Sequence, residues 1–502
     1  MTRLLSELAL LATCAAACST PAAAARPQVV VVIDTDLPVP PDPNNPASQQ
    51  TTPALVDTAR VEVVQRGTTQ LACATPSDCR RDFALDQGQL GLHEVSFGLV
   101  AIGAGDELRI RLFRHDTVDT DGEPVDGATD EVRARPVLPA SGVETVTYVV
   151  PGDDWGEPGA SAPIVAPIVG DPPASRVGQW AGAQSTPCSL APRADSGSFD
   201  GETCVAGGAF LRDAESGALQ SWSSGIFDDA RLVVLSPFLI DTFEFTVARY
   251  ASITLPAGVT PPDTYATDDM ANPWRQYCTL GSPFPDADAY PLNCVSAATA
   301  DAICAQLGER LPTETETTWV TAGREARLFP WGIYPPEYPS PTDPNTIYPC
   351  CDGVVFGRYP LGTTTTAVSF NQCSNTTPAP PTGAYPARPE AVDAILHRTL
   401  TGSCSTVRDV SRDGVAQLGG NLSEWTSDYF ADQGCWPLPA PQHDPVCPPS
   451  GTPPYRSVAG GSWLDAPADQ YSGLRQSEAD LDVLHAHPGV GFRCARSAGS
   501  QP

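Results

Sequence analysis

Apolar and polar residues alternate along three stretches in the first third of the chain. Residues 60–63, 108–112 and 146–150 each place an apolar side chain at every second position, and an unbroken apolar run, residues 29–33, precedes them. Alternation of this length predicts half-buried β-strands, and the unbroken run predicts a buried strand. Gly, Pro and Asp separate these segments, so the pattern predicts an all-β, sandwich-like domain over residues 29–151.

The pattern changes on either side of this domain. Residues 19–28 predict a short tether, and residues 152–185 lack periodicity and are rich in Gly, Pro, Ala and Ser, which is typical of a linker. In the following region, residues 186–498, only residues 297–307 have clear helical spacing. The chain has 53 Pro and 42 Gly among 502 residues, which favours loops over helical bundles. We therefore predict a second, loop-rich domain with little helix.

Charge excludes one class of function. The formal net charge is −30, and all 29 basic residues are arginines. So acidic a surface repels phosphate backbones, which argues against nucleic-acid binding. The hydrophobic content of 41% can support folded cores, so the chain is not disordered throughout.

The first residues have the features of an export signal. A basic start at Arg3 is followed by an apolar stretch that ends in Ala-Ala-Ala-Cys, with Cys18 last, and a weaker frame ends at Cys14. This predicts a signal peptide with a lipobox over residues 1–18 and lipidation of Cys18; an ordinary cleaved signal peptide is the alternative. We expect a lipoprotein at the outer membrane or surface of a Gram-negative bacterium, with the periplasmic face as a second placement. No later apolar stretch reaches the length of a membrane span.

Cysteine usage agrees with export. Removing Cys14 and Cys18 from the 16 cysteines leaves an even number, and no Cys-x-x-Cys pair suggests zinc or redox chemistry. The vicinal pair Cys350-Cys351 cannot close on itself without strain, so each partner is expected elsewhere, with Cys373 and Cys404 as candidates. Disulfide bonds that close short loops are expected between Cys73 and Cys79, Cys188 and Cys204, and Cys435 and Cys447.

Several different short motifs follow one another between residues 205 and 494. The last five are Leu-Pro-Thr-Glu at 311–314, Phe-Pro-Trp-Gly at 329–332, Gly-Asn-Leu-Ser-Glu-Trp at 420–425, Gly-Gly-Ser-Trp at 460–463 and Gly-Phe-Arg-Cys at 491–494. This order resembles the sulfatase-modifying factor family, whose founding activity is the formylglycine-generating enzyme. The resemblance implies an α+β, C-type-lectin-like domain, loop-rich and disulfide-bonded, over residues 186–498, and it pairs Cys304 with Cys494.

The resemblance also locates the family's catalytic centre. The family's two copper-binding cysteines follow the Gly-Gly-Ser-aromatic turn, here Ser462 and Trp463, and the matching positions hold Asp465 and Gln470. Copper(I) prefers soft thiolates, which neither residue supplies. The resemblance therefore implies the scaffold without both catalytic cysteines, and copper is not expected.

A calcium site is implied at the turn before Trp425. The matching ligands are the side chain of Gln417, the backbone carbonyls of Gly420 and Leu422, and the carboxylate of Glu424. Hard oxygen donors of this kind suit calcium, although the neutral amide of Gln417 replaces a shorter donor and lowers the affinity. The alternative is that Glu424 caps local amides and shapes the turn without an ion.

Two functions remain open from the sequence. The first is a binding or structural module, lipid-anchored in the envelope, that recognises an envelope protein or a polysaccharide through its loops. The second is an active oxidase or another enzyme of the family that uses the same pocket with different residues. A concave pocket under Trp463 and Asp465 would favour the enzyme; a filled pocket with exposed Tyr429, Trp436 and Tyr471 would favour binding.

Overall fold

The computed structural model describes most of both predicted domains. It covers residues 27–45, 54–119, 121–155, 162–188, 201–212, 231–323, 327–333, 335–339, 347–350, 353–356, 399–400, 402–431, 441–449, 455–465, 475–479 and 487–498. Within this part of the chain, none of the helices has the length and apolar character needed to cross a membrane. The signal peptide, Cys14, Cys18 and most of the tether lie outside these residues.

The described residues of the N-terminal region form nine strands and two short helices. They are β1 (Gln28–Thr35), β2 (Thr58–Gln65), β3 (Arg80–Ala84), β4 (Ser96–Leu99), β5 (Asp106–Phe113), β6 (Asp130–Ala134), β7 (Val143–Val150), β8 (Ile164–Val165), β9 (Ile168–Val169), α1 (Pro76–Cys79) and α2 (Gln87–Gly91). One sheet has the order β4-β1-β7-β9 and the other β3-β2-β5-β6-β8. The two sheets bury their alternating apolar residues in one core that contains Val29, Val31, Ile33 and Ile110.

Charged side chains cover the opposite face of the five-stranded sheet and pair across its strands. Arg60 lies opposite Asp82, with its Nε 2.8 Å from the carboxylate. Glu62 accepts from Arg80 Nε and from Arg111 Nη2, each at 2.8 Å. We call the whole set the ionic lattice; it comprises Arg60, Glu62, Arg80, Asp82, Glu107, Arg109, Arg111, Glu123, Glu131, Arg133 and Arg135.

The structure differs from the predicted linker over residues 152–185. Strand β8 pairs with β6 and strand β9 with β7, so this segment supplies an edge strand to each sheet. Trp180 and Ala183 are buried in the core, and the Trp180 indole donates to Asp153 at 2.8 Å. Each of these strands is an Ile-Val pair preceded by proline, which is tolerated at sheet edges, and two residues are too few to show a period.

Where the structure describes the C-terminal region, it contains twelve strands and three helices. They are β10 (Glu202–Val205), β11 (Gly208–Arg212), β12 (Arg231–Leu235), β13 (Phe238–Asp241), β14 (Glu337–Pro339), β15 (Ile347–Pro349), β16 (Ser423–Tyr429), β17 (Gln442–His443), β18 (Tyr455–Ala459), β19 (Arg475–Ala479), β20 (Val490–Gly491), β21 (Ala495–Ser497), α3 (Val247–Tyr250), α4 (Ala297–Gln306) and α5 (Glu314–Ala322). The sheets have the orders β10-β13-β21, β11-β12-β17, β14-β15 and β19-β18-β16-β20. Short 3-10 helices occur at Asp126–Ala128, Gly152–Asp154, Ala181–Ala183, Pro273–Tyr277, Ala287–Ala289 and Gly402–Cys404.

The helices of this region begin at polar caps that the sequence supplies. The Ser296 hydroxyl accepts from the Thr299 amide at the start of α4. At α5, Thr313 and Glu316 form a reciprocal capping box, which explains why the Leu-Pro-Thr-Glu motif precedes a helix. Cys304 on α4 is disulfide-bonded to Cys494 next to β21, which fastens the helix to the C-terminal motif.

Disulfides recur throughout the chain, as the cysteine count suggests. The structure pairs Cys73 with Cys79, Cys188 with Cys204, Cys278 with Cys294, Cys304 with Cys494, and Cys350 with Cys404. The bond between Cys278 and Cys294 was not anticipated, and Cys404 rather than Cys373 is the partner of Cys350. Cys447 is also disulfide-bonded. Its expected partner Cys435 lies outside the described residues, as do Cys351 and Cys373.

One hydrophobic core joins the two regions. The antiparallel pair β11–β12 contributes Ala209, Leu211 and Leu232 to the same buried cluster as the N-terminal sheets. A bridge between Thr186 and Gly207 continues the contact along the backbone. The N-terminal sheets are thus packed against the C-terminal region instead of being held away from it by a spacer.

Candidate functional site

A tight turn at residues 460–465 positions Ser462, Trp463 and Asp465. Gly460 has φ 74°, and a Cβ there would lie 2.5 Å from the Leu418 carbonyl oxygen, so only glycine fits. The Trp463 amide donates to the Asn421 carbonyl at 2.8 Å. This bond docks the turn against the segment that the sequence marks as the calcium turn.

The carboxylate of Asp465 is bound to its own turn. Its Oδ2 accepts from the Ser462 amide at 2.6 Å and from the Ser462 hydroxyl at 2.7 Å. Two hydrogen bonds to one oxygen fix the rotamer of Asp465 and cap the turn, a local role that aspartate commonly has. The residue at the position implied for the first copper cysteine therefore stabilises backbone geometry here.

Trp463 fills the space beneath this turn. Its side chain is fully buried and packs with Leu422 and Val355, and the Tyr277 ring lies 5.7 Å away between centroids. The indole N–H donates to the Pro488 carbonyl at 3.2 Å. Of the aromatic residues expected at the surface, Tyr429 is half-buried with the Arg456 guanidinium 4.9 Å from its ring centroid, while Trp436 and Tyr471 lie outside the described residues.

A serine and a histidine meet beside Gly489 without forming a nucleophilic pair. A Cβ on Gly489 would lie 2.9 Å from the Ser462 hydroxyl oxygen and 3.2 Å from the imidazole Cε1 of His487. The Ser462 hydroxyl donates to Asp465, however, and the His487 Nδ1 accepts from the Gly489 amide at 3.2 Å. A histidine base must take the serine proton, which this hydrogen-bond arrangement does not provide.

The second site is the turn from Asp409 to Glu424, to which the first turn is hydrogen-bonded through Trp463 and Asn421. The buried Asp409 carboxylate accepts from the amides of Leu418, Gly419 and Gly420 at 3.2, 3.0 and 2.8 Å. Burial raises the pKa of Asp409 to about 6, although these three amides work in the opposite direction. Asp409 thus organises the backbone on which Gly420 sits.

Glu244 supports the same turn from the other side. Its carboxylate accepts from the Asn421 side-chain amide and from the Leu422 backbone amide, the latter at 2.8 Å. Burial, and after it the charge of Glu424, raises the pKa of Glu244 well above its usual value. Two acidic side chains therefore share one buried region of low dielectric.

Arg493 is the hub that joins these groups. Its guanidinium donates to both carboxylate oxygens of Glu424 and to the carbonyl oxygens of Ala416 and Gln417, the latter two at 2.9 and 3.1 Å. Another donor reaches the Asp241 carbonyl at 3.0 Å. Burial opposes the charge on Arg493, but the surrounding carboxylates, led by Glu424, raise the pKa of Arg493. It is therefore a permanently charged, multiply bonded cation in the core.

Acidic groups outnumber basic groups around this hub. We call the set the Arg493 cluster; it comprises Asp241, Glu244, Asp409, Glu424, Arg249 and Arg493. Arg249 binds Asp241 at 2.7 Å. Burial also raises the pKa of Glu424 although Arg493 counteracts it. The cluster thus has an excess of negative charge that either protons or a further cation must balance.

The four implied calcium ligands all belong to this buried turn. Gln417 is fully buried with φ 58°, and neither its amide oxygen nor its amide nitrogen has a hydrogen-bond partner among the described residues. An orphaned buried amide oxygen beside excess carboxylate is what a hard cation would satisfy. Arg493 competes for the Glu424 carboxylate, but each oxygen keeps a lone pair beyond the one it shares with the guanidinium. The residues present therefore fit calcium.

Two sets of buried side chains each place two carboxylates next to a cysteine sulfur. Asp241, Glu309 and Cys494 place possible ligand atoms within 4.8 Å of one another, and so do Glu314, Asp428 and Cys447. Both cysteines are disulfide-bonded, so neither supplies a thiolate. Burial, and after it the charge of Glu314, raises the pKa of Asp428 to about 7.

Comparison with known families covers the region that holds both turns. A family model described as the sulfatase-modifying factor enzyme 1-like domain matches residues 188–498. The chain belongs to the sulfatase-modifying factor family. The match includes the Asp465 turn, the Asp409–Glu424 turn and Arg493, so the geometry described above is that of a domain of this family.

Individual relatives are more distant. The chain is 26% identical over 235 residues to a protein of Bos taurus named inactive C-alpha-formylglycine-generating enzyme 2, covering 46% of this chain and 58% of that protein. The protein of the same name from Mus musculus is 26% identical over 230 residues, covering 45% of this chain and 55% of that protein. The chain thus spans less than two thirds of the length of either relative. Among solved structures, PvdO from Pseudomonas aeruginosa matches with 18% identity and a TM-score of 0.34, covering 59% of this chain and 94% of that one.

Sequence reasoning located both turns but missed the residues that organise them. Arg493 stands inside the Gly-Phe-Arg-Cys motif, yet a motif does not state which atoms its side chains contact, and Glu244 lies 177 residues before Asn421 in the sequence. Asp409 precedes the matched segment and carries no signal of its own beyond being an aspartate before a Gly-rich turn. Cys278 could have been found from the even cysteine count, because Cys294 otherwise lacked a stated partner.

Proposed function

We propose that this chain is an exported, lipid-anchored envelope protein of a Gram-negative bacterium. Its sulfatase-modifying factor domain serves as a binding or structural module and not as a formylglycine-generating oxidase. The observation that carries this proposal is the carboxylate of Asp465, which takes the place implied for a copper thiolate and is bound to Ser462 of its own turn. A hard, locally bonded carboxylate is a poor ligand for copper(I).

The state of the other sulfur atoms supports the proposal. Every cysteine within the described part of residues 188–498 is disulfide-bonded, so none of them offers a thiolate. The relatives from Bos taurus and Mus musculus are themselves named inactive. Multiple disulfides also favour an oxidising compartment, which agrees with export.

The oxidase chemistry is tested with the exported, disulfide-bonded protein. Copper(I), oxygen and a cysteine-containing peptide are supplied, and aldehyde formation is followed with a hydroxylamine probe and mass spectrometry. We expect no aldehyde from the natural sequence. The variant Asp465→Cys with Gln470→Cys is the matched control, since it restores the implied thiol pair; aldehyde formed by the natural protein would overturn the proposal.

Anchoring is tested separately through Cys18. We expect the full chain, expressed with its own signal in a Gram-negative host, to fractionate with membranes and to yield an acylated N-terminal peptide by mass spectrometry. Cys18→Ser should release it to the soluble envelope fraction, whereas Cys14→Ser should not. Membrane association that survives Cys18→Ser, or an unmodified N-terminal peptide, would contradict the anchor.

The ligand class is an envelope protein or polysaccharide. Purified peptidoglycan fragments, lipopolysaccharide and capsular polysaccharide serve as probes in titration calorimetry against the intact chain. Saturable binding of one of these that Asp465→Ala leaves unchanged supports a binding module that does not use the oxidase position. Binding that requires Asp465 would instead direct attention back to the turn as an active site.

We further propose that calcium balances the Arg493 cluster, held by Gln417, the carbonyls of Gly420 and Leu422, and Glu424. Calcium would supply positive charge and fix the turn on which Trp463 docks. Calcium should raise the melting temperature of the natural chain and EGTA should reverse the rise. Gln417→Met keeps the length of the side chain and should abolish the response.

The same variant distinguishes a turn that binds calcium from a turn that forms without an ion. Without an ion, replacing a buried, unpartnered amide by an apolar group of similar shape is neutral or stabilising. Gln417→Met would then match or exceed the natural chain in stability with and without calcium. That result, together with a calcium-insensitive natural chain, would refute the calcium proposal.

A further inference from the structure

Exposed apolar side chains gather at one end of the N-terminal sheets. Val143 is 57% exposed and Ile168 is 43% exposed, and Val137, Ile164 and Val169 are exposed as well. We call these five residues the apolar edge. They lie on the connection between β6 and β7, on the first residue of β7, and on the two edge strands β8 and β9.

Strand pairing brings the apolar edge together. β9 pairs with β7 at Val146 and Thr147, and the Gly170 amide donates to the Thr145 carbonyl at 2.9 Å. β8 runs parallel to the end of β6 and pairs with Arg133 and Ala134. Val137 follows β6 in the chain and Ile168 follows β8, so both residues come just after this pairing. The five residues therefore gather at one edge of the two sheets, where β6 ends and β7 begins, and are not scattered over the surface.

The segments that carry the apolar edge are themselves uncharged, and Arg135, Glu144 and Asp171 flank them. Residues 136–143 and 162–170 contain no Asp, Glu or Arg, although the chain carries a net charge of −30. An acidic surface is repelled by anionic lipid headgroups and by other copies of the same chain. A neutral apolar face is the part of such a protein that approaches a lipid surface without that cost.

The start of the first strand lies at the same place. Gln28, the first residue of β1, pairs directly with Val143 of the apolar edge. Only nine residues, 19–27, lie between Cys18 and Gln28. Even fully extended, a segment of that length spans at most about 35 Å, which is about the size of a small domain. A lipid on Cys18 would therefore hold the β1 end of the sandwich, with its apolar edge, close to the bilayer.

We infer that the apolar edge rests on the lipid surface in which the anchor is inserted, so that the N-terminal sheets are a membrane-facing platform. The inference builds on the proposed anchor at Cys18. Contact through a few aliphatic side chains is weak alone, and it acts because the short tether keeps the local lipid concentration high. The platform fixes which side of the C-terminal domain faces away from the membrane.

The test uses a substitute anchor, so that it does not depend on natural acylation. The chain from residue 18 onward, with Cys18→Ser and an N-terminal histidine tag, is bound to phosphatidylcholine vesicles that contain a small fraction of nickel-chelating lipid. Hydrogen exchange is compared with the same protein bound to a soluble nickel chelate. We expect several-fold slower exchange at the amides of residues 143–147 and 162–170 on vesicles, and unchanged exchange elsewhere.

Variants decide whether the apolar side chains cause the protection. Val143→Thr with Ile168→Thr keeps β-branched residues on the strands, so the fold is retained, and it should remove the protection. Leu92→Thr is the matched control: Leu92 is 71% exposed on the same domain, and Val95 close to it pairs with Ile33 near the far end of β1. This variant should behave like the natural sequence.

The outcomes separate the inference from the anchor proposal. Equal exchange on vesicles and on the soluble chelate, or protection that survives the double threonine variant, would overturn the membrane contact. If the same amides become protected on the soluble chelate as the protein concentration rises, the apolar edge contacts a second copy of the chain instead of a membrane. An unacylated Cys18 in cells would refute the anchor while leaving the measured vesicle contact as it stands.

Discussion

The ionic lattice and the Arg493 cluster both bury charge, but they balance it differently. The lattice sets six arginines against five carboxylates on the face of the five-stranded sheet opposite the core. Burial opposes ionised Glu107, yet hydrogen bonds from Arg135 and Arg133 lower the pKa of Glu107 below its usual value. The Arg493 cluster sets four carboxylates against two arginines, and the pKa values of Glu244, Asp409 and Glu424 are raised.

The difference shows that burial alone does not decide the ionisation of a carboxylate. In the lattice most carboxylates meet two or more guanidinium groups, so the charged form is favoured at neutral pH. In the cluster Arg493 must serve several acids, so a proton or a metal ion has to complete the balance. A balanced network is typical of a structural surface, and an unbalanced buried one is typical of a site that binds something.

Removing the hub should have the largest effect. Arg493→Met leaves Glu424 and Glu244 buried without their cation, and loss of one partner of a buried pair costs about 3–5 kcal/mol. Urea unfolding of the disulfide-intact protein measures the loss. Arg496→Met is the matched control on the next strand, because its partner Glu202, held at 2.8 Å, is less buried; a smaller loss of about 2 kcal/mol is expected. Similar losses for both variants would contradict the hub.

The lattice should tolerate a single loss better. Glu62→Gln removes one carboxylate, but Arg109 keeps Glu131, and Arg111 keeps Glu123 at 2.8 Å. We expect a loss of about 2 kcal/mol in the free energy of unfolding, since hydrogen bonds to charged groups contribute less than whole buried pairs. Asp116→Asn, in an exposed pair with Arg114, is the control and should change stability by less than about 1 kcal/mol. A loss at Glu62 equal to that at Arg493 would remove the distinction between the two networks.

Acidity should act in opposite directions on the buried carboxylates with raised pKa values, Asp428 and Asp409, and on those of the ionic lattice. The pKa of Asp428 rises from 3.8 to about 7 on folding, so between these values the folded chain holds a proton that the unfolded chain has released. Stability from this group is full below pH 4 and is lost as the pH rises through 7, with a slope of at most about 1.4 kcal/mol per pH unit. Asp409, with a pKa of about 6, adds to the same trend. The lowered pKa values of Glu107 and Glu123 act oppositely, and their contribution is lost on acidification below 4.5.

Unfolding free energies at pH 5 and pH 8 check this sign. Asp428→Asn is uncharged at every pH and should flatten the decline between these values, whereas Asp301→Asn, on a carboxylate 42% exposed, should leave it unchanged. A natural chain that becomes more stable towards pH 8 would show that the acids of the Arg493 cluster and Asp428 are ionised throughout.

The order of motifs predicted the family because it depends on spacing that survives substitution. The same motifs gave the turn with Asp465 and the turn with Gln417, since each has a glycine that the backbone requires. They could not predict that Asp409 binds the amides of the turn or what Arg493 contacts, because those interactions depend on which segments meet in space. The calcium ligand set and the lipid anchor stay predictions.

The N-terminal region was harder to predict for two physical reasons. The edge strands β8 and β9 have two residues each, too few for a hydrophobic period, so a linker was expected where the sheets in fact gain their edges. The alternating Arg and Glu of β2 and β5 predicted half-buried strands, but nothing in one strand shows that its charges meet opposite charges on its neighbours. Cross-strand register is a property of the folded sheet.

Strand β1 also has a mechanical consequence. It runs between β4 and β7, antiparallel to the first and parallel to the second over the full pairing from Gln28 to Thr35. A force applied to the chain before Gln28 pulls along the strand axis, so the interstrand hydrogen bonds on both sides are loaded together in shear instead of opening one at a time. The strand nearest the tether is thus the one best placed to withstand drag on the rest of the molecule.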